Sequence, residues 1–237
     1  MIPVLAITTL NQLSSVDRLI KSINYPVQVC SILCNNYDVD YFLEVRKLCK
    51  NDYVKEFVVS HCPYNTGCAG GWNYHIKHNP SAPYWLIVND DVVFGSADLV
   101  KFDGLAECYD VVCSLFPNDH INRWYYFSMF SLTQKVVKTV GLFDENFYPA
   151  YYEDTDYKRR LAHHGFEPYV VSVDGHHGGA STAGNCQTDN RKLLMNKYFE
   201  MNRQYNDSKI TTNDYSAGKF DLQYRIDKPF TVKEFSK

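Results

Sequence analysis

The chain has 237 residues, of which 45% are hydrophobic and 22% are charged, values near the average for globular proteins. This balance excludes disordered, collagenous and coiled-coil chains. The formal net charge is −3, from 24 basic and 27 acidic residues, so no strong positive field exists to hold a nucleic-acid backbone. We therefore expect one compact globular chain that does not bind nucleic acid.

Several features predict a cytoplasmic protein. No apolar run is long enough to cross a membrane, and the N-terminus has neither the basic region nor the cleavage site of a signal peptide. The eight cysteines are scattered and form no Cys-x-x-Cys pair, which is typical of reduced, mostly buried thiols. Aromatic residues are abundant, with 19 Tyr and 14 Phe, and such side chains suit cores as well as sugar and base pockets.

Short apolar strands alternate with helical patterns over the first part of the chain. This alternation predicts an α/β fold, a mostly parallel or mixed central sheet flanked by helices. In chain order we expect strands at 3–8, 28–34, 55–59 and 84–88, and helices covering 16–23, 42–48 and 70–77.

The second part of the chain is less regular. Strands are expected at 111–115, 125–132 and 168–173, and helices at 134–140 and 154–164. From Asn202 onward the sequence is polar and predicts a loop-like C-terminal extension. No internal repeat or linker divides the chain, so we expect a single domain, with bounds 1–200, followed by an extension over 201–237.

Polar residues follow the predicted strands, where ligands bind in open α/β sheets. The fourth strand ends in Asn89, Asp90 and Asp91, whose oxygen atoms suit magnesium or manganese bound to a diphosphate. The alternative for this triplet is a solvated turn that caps the next segment. The other strand ends of the same rim carry Thr8, Thr9, Asn36, Asp38 and Asn65.

A glycine-containing turn runs from Asn65 to Asn73 into the third predicted helix. Gly67 and Gly70 would let a ligand approach the backbone and meet the N-terminal amides of the helix. The turn matches neither a P-loop nor a dinucleotide fingerprint. Tight packing of the helix against the sheet explains the glycines equally well.

An aromatic loop, residues 147–152, leads into an acidic helix start at Glu153 and Asp154. Either carboxylate could act as a general base in a pocket, and either could simply stabilise the helix N-terminus. Asp156 and Arg160 are four residues apart and can pair on one helix face. Two adjacent histidines, His176 and His177, follow the last predicted strand, and at most one of them is expected to coordinate a metal.

Five segments, in this order, resemble motifs of the inverting nucleotide-sugar glycosyltransferases of family 2, which have the GT-A fold, and especially their rhamnosyltransferase branch. The order and spacing of the segments agree with the family over about residues 3 to 181. The amino-acid usage of the chain would suit a large DNA virus as well as a bacterium. The segments are Asn65-Thr66-Gly67-Cys68-Ala69, Asn89-Asp90-Asp91, Gly141-Leu142-Phe143-Asp144-Glu145, Glu153-Asp154-Thr155-Asp156 with Arg160 and Gly165, and His176-His177-Gly178-Gly179-Ala180-Ser181.

The resemblance implies transfer of a sugar from a UDP-, GDP- or dTDP-linked donor to a glycan or glycoprotein hydroxyl, with inversion. It implies that residues 1–95 bind the donor and 96–200 serve the acceptor and catalysis. Asp154 would be the general base, with Glu153 as second candidate, and Asp91 with His176 would hold manganese or magnesium. The implied donor-binding residues are Thr8, Thr9, Asn36, Asp38, Asn65, Gly67, Gly70, Asn73, Asn89 and Asp90.

Two positions depart from the family pattern. Asn89 stands where the metal triplet usually begins with Asp, and Asn35-Asn36 stand where the second strand commonly ends in Asp. Two other functions are compatible with the chain: a sugar nucleotidyltransferase, and an inactive carbohydrate-binding domain of the same fold. The first is disfavoured because the turn after the first strand is neither glycine-rich nor basic. The intact Glu153-Asp154 pair opposes the second.

Overall fold

A computed structural model describes residues 1–117, 126–178 and 189–217 of the chain. Its strands are β1 (Ile2–Thr9), β2 (Val27–Cys34), β3 (Val54–His61), β4 (Tyr84–Asn89), β5 (Val92–Val93), β6 (Val111–Leu115), β7 (Tyr126–Thr133), β8 (Tyr169–Ser172) and β9 (His176–His177). Its helices are α1 (Leu13–Ser22), α2 (Val39–Leu48), α3 (Gly67–His78), α4 (Asp98–Ala106), α5 (Gln134–Val140), α6 (Glu153–His163) and α7 (Asp189–Thr211).

Seven strands form one mixed sheet in the order β3-β2-β1-β4-β7-β6-β8. The first four strands of this order are parallel to one another, whereas β7 runs antiparallel to both β4 and β6. Strands β5 and β9 form a separate two-stranded sheet. Strand β2, which follows β1 in the chain, lies on one side of β1, and β4 lies on its other side. The carboxyl ends of β1 and β4 therefore flank a crevice of the kind that binds ligands in open α/β sheets.

Alternating side chains of the buried strands divide the core into two layers. On β1, Leu5 and Ile7 face a layer that includes residues of α1, α2 and α4, whereas Val4 and Ala6 face a layer built with α3, α5 and α6. This alternation is the two-residue period of an extended strand. Because both faces are covered by helices, the central strands are apolar throughout, as the sequence predicts.

Helix boundaries follow local side-chain chemistry. Val16, Leu19 and Ile20 lie on one buried face of α1, at helical spacing. Asp38 caps α2, because its carboxylate accepts hydrogen bonds from the backbone N–H groups of Asp40 and Tyr41. The predicted mixed sheet flanked by helices is thus confirmed, and the predicted elements differ from the observed ones by a few residues at their ends.

Two helices and two short strands were not predicted. Helix α4, and strands β5 and β9, lie in segments to which the sequence assigned no element. The prediction of a loop from Asn202 was wrong, because α7 continues to Thr211 and crosses the proposed boundary at residue 200. The bounds of the domain and its extension stay a prediction.

Some predictions fall outside the described residues. These are the end of the motif at Gly179, Ala180 and Ser181, and the eighth cysteine, Cys186. The seven cysteines within the described residues are all free thiols. Within the same part of the chain, no helix combines the length and the apolar character needed to cross a lipid bilayer.

Candidate functional site

The crevice between β1 and β4 holds a partly buried acid, Asp90. The hydroxyl of Thr9 donates to Asp90 Oδ2 at 2.7 Å, and the same hydroxyl lies 2.5 Å from the phenol oxygen of Tyr41 on α2. Burial raises the pKa of Asp90 to about 7, although the Thr9 hydrogen bond opposes this, and the charge of Asp91 raises it further. The sheet thus places an acid with a pKa near neutral pH at the carboxyl end of β4.

The adjacent carboxylate, Asp91, meets a histidine from the other end of the chain. Antiparallel pairing of β5 with β9 sets Val92 opposite His177, and His177 Nε2 lies 3.5 Å from Asp91 Oδ1. The backbone N–H of Gly178 donates to the Asp91 carbonyl at 3.0 Å. His176 is paired with Val93 instead, and its side chain is exposed. The structure therefore brings His177, and not the predicted His176, to Asp91.

A buried acid that the sequence analysis missed holds this histidine strand in place. Asp98 is fully buried and accepts hydrogen bonds from three backbone N–H groups, those of Gly95 at 2.7 Å and of Asp174 and Gly175 at 2.9 Å. A side chain on Gly175 would lie 2.3 Å from the carbonyl oxygen of Val93. Close contact between these two backbones fixes the turn that precedes β9, and so fixes where His177 lies.

Asp91 and His177 together fit part of a divalent-metal site. A carboxylate oxygen and an imidazole nitrogen are both ligands that bind manganese. Both side chains are largely buried, Asp91 at 6% exposure and His177 at 12%. Among the residues that the structure describes, no group of three or more His, Cys, Asp or Glu side chains is arranged around one point. A metal here would therefore need further ligands, which the phosphate oxygens of a substrate can supply.

The predicted donor-binding asparagines take part in loop structure. The side-chain amide of Asn36 donates to the Leu10 carbonyl, and its oxygen accepts the backbone N–H of Asp38 at 3.0 Å. Asn65 Oδ1 accepts both the backbone N–H of Gly67 at 2.8 Å and the Asn35 amide at 3.1 Å. These bonds join the loops after β1, β2 and β3, so Asn36, Asp38 and Asn65 shape the rim of the crevice through its backbone.

The glycine turn at the start of α3 is packed against the aromatic loop. Gly67 has φ of +75°, and a side chain there would lie 2.8 Å from the carbonyl oxygen of Pro149. The backbone N–H of Cys68 donates to that same carbonyl at 2.8 Å. Close packing, one of the two explanations offered by the sequence, therefore accounts for Gly67. Gly70 is buried within α3.

Thr8 and Thr9 point to different neighbours. The Thr8 hydroxyl lies 3.2 Å from His75 Nε2, and a side chain on Gly71 would lie only 2.5 Å from the Thr8 methyl. Burial lowers the pKa of His75 to about 3, so this imidazole is neutral, and its Nδ1 meets the Ser31 hydroxyl at 2.9 Å. Thr8 thus helps to seat α3 on the sheet, whereas Thr9 reaches Asp90.

Asn73 and Asn89, two other predicted donor-binding residues, have different surroundings. Asn73 makes a two-point bond to Phe143, donating to its carbonyl and accepting its N–H at 2.9 Å each, and also donates to Glu145. It therefore joins α3 to the segment at 141–145. Asn89 ends β4 in register with Thr8 of β1, which places it at the edge of the crevice.

The acidic start of α6 carries the predicted catalytic pair. Tyr151 and Tyr152, which precede it, both have φ of +75°, a conformation that costs on the order of 1–3 kcal/mol for each such residue. Glu153 is 6% exposed, and its Oε2 has no hydrogen-bond partner among the described residues. Burial, together with the charge of Asp154, raises the pKa of Glu153 to about 8. Glu153 therefore carries a proton at neutral pH.

Asp154 lies in a more open position than Glu153. Its side chain is 34% exposed, and its Oδ2 lies 3.6 Å from Lys158 Nζ. Its other oxygen accepts the backbone N–H of Thr155 at 2.7 Å. A partly exposed carboxylate at a helix N-terminus can accept a proton from a bound hydroxyl group, which a buried carboxyl that already carries a proton cannot do.

The thiol of Cys68 marks where the two halves of the site meet. Burial raises its pKa, and the charges of Glu153, Asp90 and Asp154 raise it further. Asp90 directly follows β4, whereas Glu153 and Asp154 begin α6, so acids from two segments act on one thiol of α3.

Comparisons with known proteins agree with this architecture. No family model matches the chain. Over 55 residues, 23% of the chain, it is 44% identical to a galactofuranosyl glycosyltransferase of Leishmania donovani, and the match spans 12% of that relative's length.

Solved structures match over most of the chain. S. aureus TarS is similar with a TM-score of 0.57 and 13% identity, over 95% of this chain and 47% of TarS. The mannosyltransferase PcManGT of Pyrobaculum calidifontis, solved in complex with GDP-Man and Mn²⁺, is similar with a TM-score of 0.63 and 12% identity, over 81% of this chain and 61% of that protein. A TarS fragment, residues 1–349, has been solved in complex with UDP. At these identities the likeness shows the fold, which is the predicted GT-A fold.

Proposed function

We propose that this chain is an inverting glycosyltransferase that moves a sugar from a nucleotide-linked donor to a hydroxyl group of a glycan or glycoprotein. The observation that carries the proposal is that α3 contacts both parts of the site. Its Gly71 lies against Thr8 at the end of β1, and the N–H of its Cys68 donates to the carbonyl of Pro149, four residues before Glu153, at 2.8 Å. This arrangement brings a place for an anionic leaving group together with a candidate base. The GT-A fold of its structural neighbours, two of which are solved with UDP or GDP-Man, supports the same activity.

Each acid has a separate role in the proposed reaction. Asp154 accepts the proton of the acceptor hydroxyl as that oxygen attacks the anomeric carbon and the nucleotide diphosphate leaves from the opposite face. Glu153 is buried and carries a proton at neutral pH, so it adds no negative charge beside Asp154. Glu153 is therefore a neutral neighbour, and Asp154 acts as the base.

Asp91 and His177 are the residues that would hold a divalent metal, manganese or magnesium, against the diphosphate. Such a metal, when bound, supplies positive charge that stabilises the leaving group. Asn89 replaces a carboxylate at this rim, so the protein contributes one negative charge fewer to the metal than the family pattern would give. Metal binding should consequently depend strongly on the nucleotide.

The proposed donor is a UDP-, GDP- or dTDP-linked hexose or deoxyhexose. The resemblance to rhamnosyltransferases favours a deoxysugar, whereas the neighbours include a galactofuranosyl transferase and a mannosyltransferase. The free cysteines of the described residues suit a reducing compartment, and we place the reaction in the cytoplasm.

A transfer assay tests this proposal. The protein is incubated with manganese, simple glycosides as acceptors, and dTDP-rhamnose, GDP-mannose, UDP-glucose or UDP-galactofuranose. Release of the nucleoside diphosphate together with a new glycoside of inverted anomeric configuration, seen by NMR, supports the function. Retained configuration contradicts inversion. The absence of any product with every donor, from protein that binds a nucleotide, contradicts the transferase activity.

A further inference from the structure

Helix α7 places a lysine at the centre of a buried ion cluster. Lys209 is 2% exposed, and its ammonium lies 2.7 Å from Asp144 Oδ2 and 2.9 Å from Asp156 Oδ1. It also donates to the carbonyl of Ser216 at 2.7 Å, and the Tyr205 hydroxyl donates to Asp144 at 3.0 Å. Both carboxylates are fully buried. Buried charges of this kind persist only when they are paired and hydrogen-bonded, so the ammonium has one well-defined position.

The two carboxylates belong to different segments of the proposed site. Asp144 lies in the segment at 141–145, which Asn73 joins to α3. Asp156 is in the first turn of α6, two residues after Asp154, and its other oxygen accepts Arg160 Nε at 2.7 Å. Arg160 in turn donates to the Val140 carbonyl at 3.0 Å. The Lys209 ammonium thus joins α7 to the segment at 141–145 and to the first turn of α6. Its contact on α6, Asp156, is less than one helical turn from the proposed base, Asp154.

The middle of α7 supports the strained residues that precede Glu153. The Asn202 amide donates to the carbonyl oxygens of Ala150 at 2.9 Å and Tyr151 at 3.1 Å. The ring of Phe199 lies 5.6 Å from that of Tyr151 and 5.2 Å from that of Tyr152. Because these two tyrosines have left-handed backbones, their conformation must be maintained by contacts from outside the loop, and α7 provides such contacts.

We propose that Lys209 is a positioning residue for the transfer reaction, one that fixes the first turn of α6 and thereby the carboxylate of Asp154. This role rests on the proposed function for its catalytic consequence. It needs no contact between Lys209 and substrate, because the ammonium acts on Asp154 through Asp156 and the helix backbone. A shift of about 1 Å in a reacting group can cost on the order of a hundredfold in rate, so loss of this clamp should lower turnover.

The variants must separate positioning from folding. Lys209→Met alone leaves two buried carboxylates without their shared cation, so loss of fold would hide the effect. Asp144→Asn keeps the contact between Lys209 and Asp156, and the double variant D144N/K209M then removes one charge of each sign from the cluster. Lys197→Met, at an exposed lysine of the same helix, is the matched control.

The difference between D144N and D144N/K209M measures the effect of replacing Lys209 alone. We expect kcat of the double variant to fall at least about tenfold below that of D144N, with the KM for the donor within about twofold, because the donor crevice is built from β1 and β4. Lys197→Met should match the wild type in both constants. Equal kcat for D144N and D144N/K209M would overturn the role of Lys209, and so would a fall caused by a raised donor KM alone.

Hydrogen exchange tests the same role without any substrate. The amides of residues 153–157 should exchange faster in D144N/K209M than in D144N, while those of β1 and β4 keep their protection. Unchanged exchange at 153–157 overturns the positioning role, whatever the kinetics. If the wild-type chain transfers no sugar, the proposed function fails, and faster exchange at 153–157 would still support the clamp.

Discussion

Glu153 should make the stability of this protein fall with rising pH, in a way that one substitution can reveal. In the unfolded chain its carboxyl has a pKa near 4.5, and burial in the folded protein raises the pKa to about 8. Between these two values the folded protein holds a proton that the unfolded chain has lost. The free energy of unfolding therefore decreases as the pH rises through this window, and above the folded pKa the contribution is constant.

The size of the effect follows from the displacement of the pKa. A rise from 4.5 to about 8 corresponds to roughly 5 kcal/mol of lost stability at high pH. Solvent screening reduces this little, because the side chain is only 6% exposed. Glu153→Gln keeps the shape and stays neutral at every pH. Relative to the wild type, this variant should therefore gain at least about 2 kcal/mol between pH 5 and pH 9.

Urea unfolding at pH 5, 6, 7, 8 and 9, followed by tryptophan fluorescence, measures this difference. Glu56→Gln, at an exposed glutamate on β3, is the control and should run parallel to the wild type. If the difference in unfolding free energy between Glu153→Gln and the wild type is the same at pH 5 and pH 9, Glu153 is not held in its protonated form. The neutral state assigned to Glu153 would then be wrong.

Three further substitutions test other parts of the site. Asp154→Asn removes the proposed base and should lower kcat by about a hundredfold or more while nucleotide binding persists; unchanged turnover would assign the proton to another group. Asp91→Ala should abolish the effect of manganese on nucleotide affinity in calorimetric titrations, and a manganese effect that survives would point to other ligands. Gly71→Ala places a methyl group 2.5 Å from the Thr8 methyl and should cost about 1–3 kcal/mol in urea unfolding, part of which Thr8→Ala should restore.

The central strands and the rim of the crevice could be predicted because their signals are local. An apolar strand that ends in polar residues identifies both the strand and the edge at which its side chains meet others. The role of those polar side chains could not be predicted from the sequence in the same way. Asn36 and Asn65 hydrogen-bond to loop backbone, and a sequence does not reveal whether an amide faces the backbone or a ligand.

Helix α7 escaped prediction because its buried face is polar. Asn202, Asn206 and Lys209 are at most 4% exposed and recur at helical spacing, but sequence analysis looks for that spacing among apolar residues. These side chains are buried because acids and carbonyl groups from distant segments pair with them, as Asp144 does with Lys209. Only the tertiary structure brings those partners together.

The choice between the two histidines has a similar cause. Neighbouring residues of a strand point to opposite sides, so the side chains of His176 and His177 cannot both reach Asp91. The register of β5 with β9 decides between them, and Asp98 holds the turn that precedes β9. The family resemblance pointed to the segment that contains both histidines. The pairing of β5 with β9 shows that His177 is the one beside Asp91.

Calorimetric titration of the intact protein with UDP, GDP and dTDP, each with manganese and with a chelator, tests the central claim most directly. We predict that at least one nucleotide binds, that binding weakens by tenfold or more without the metal, and that Asp91→Ala removes this dependence. Equal affinity with manganese and with chelator would contradict the metal site at Asp91 and His177. No binding of any of the three nucleotides would contradict the proposed transferase function itself.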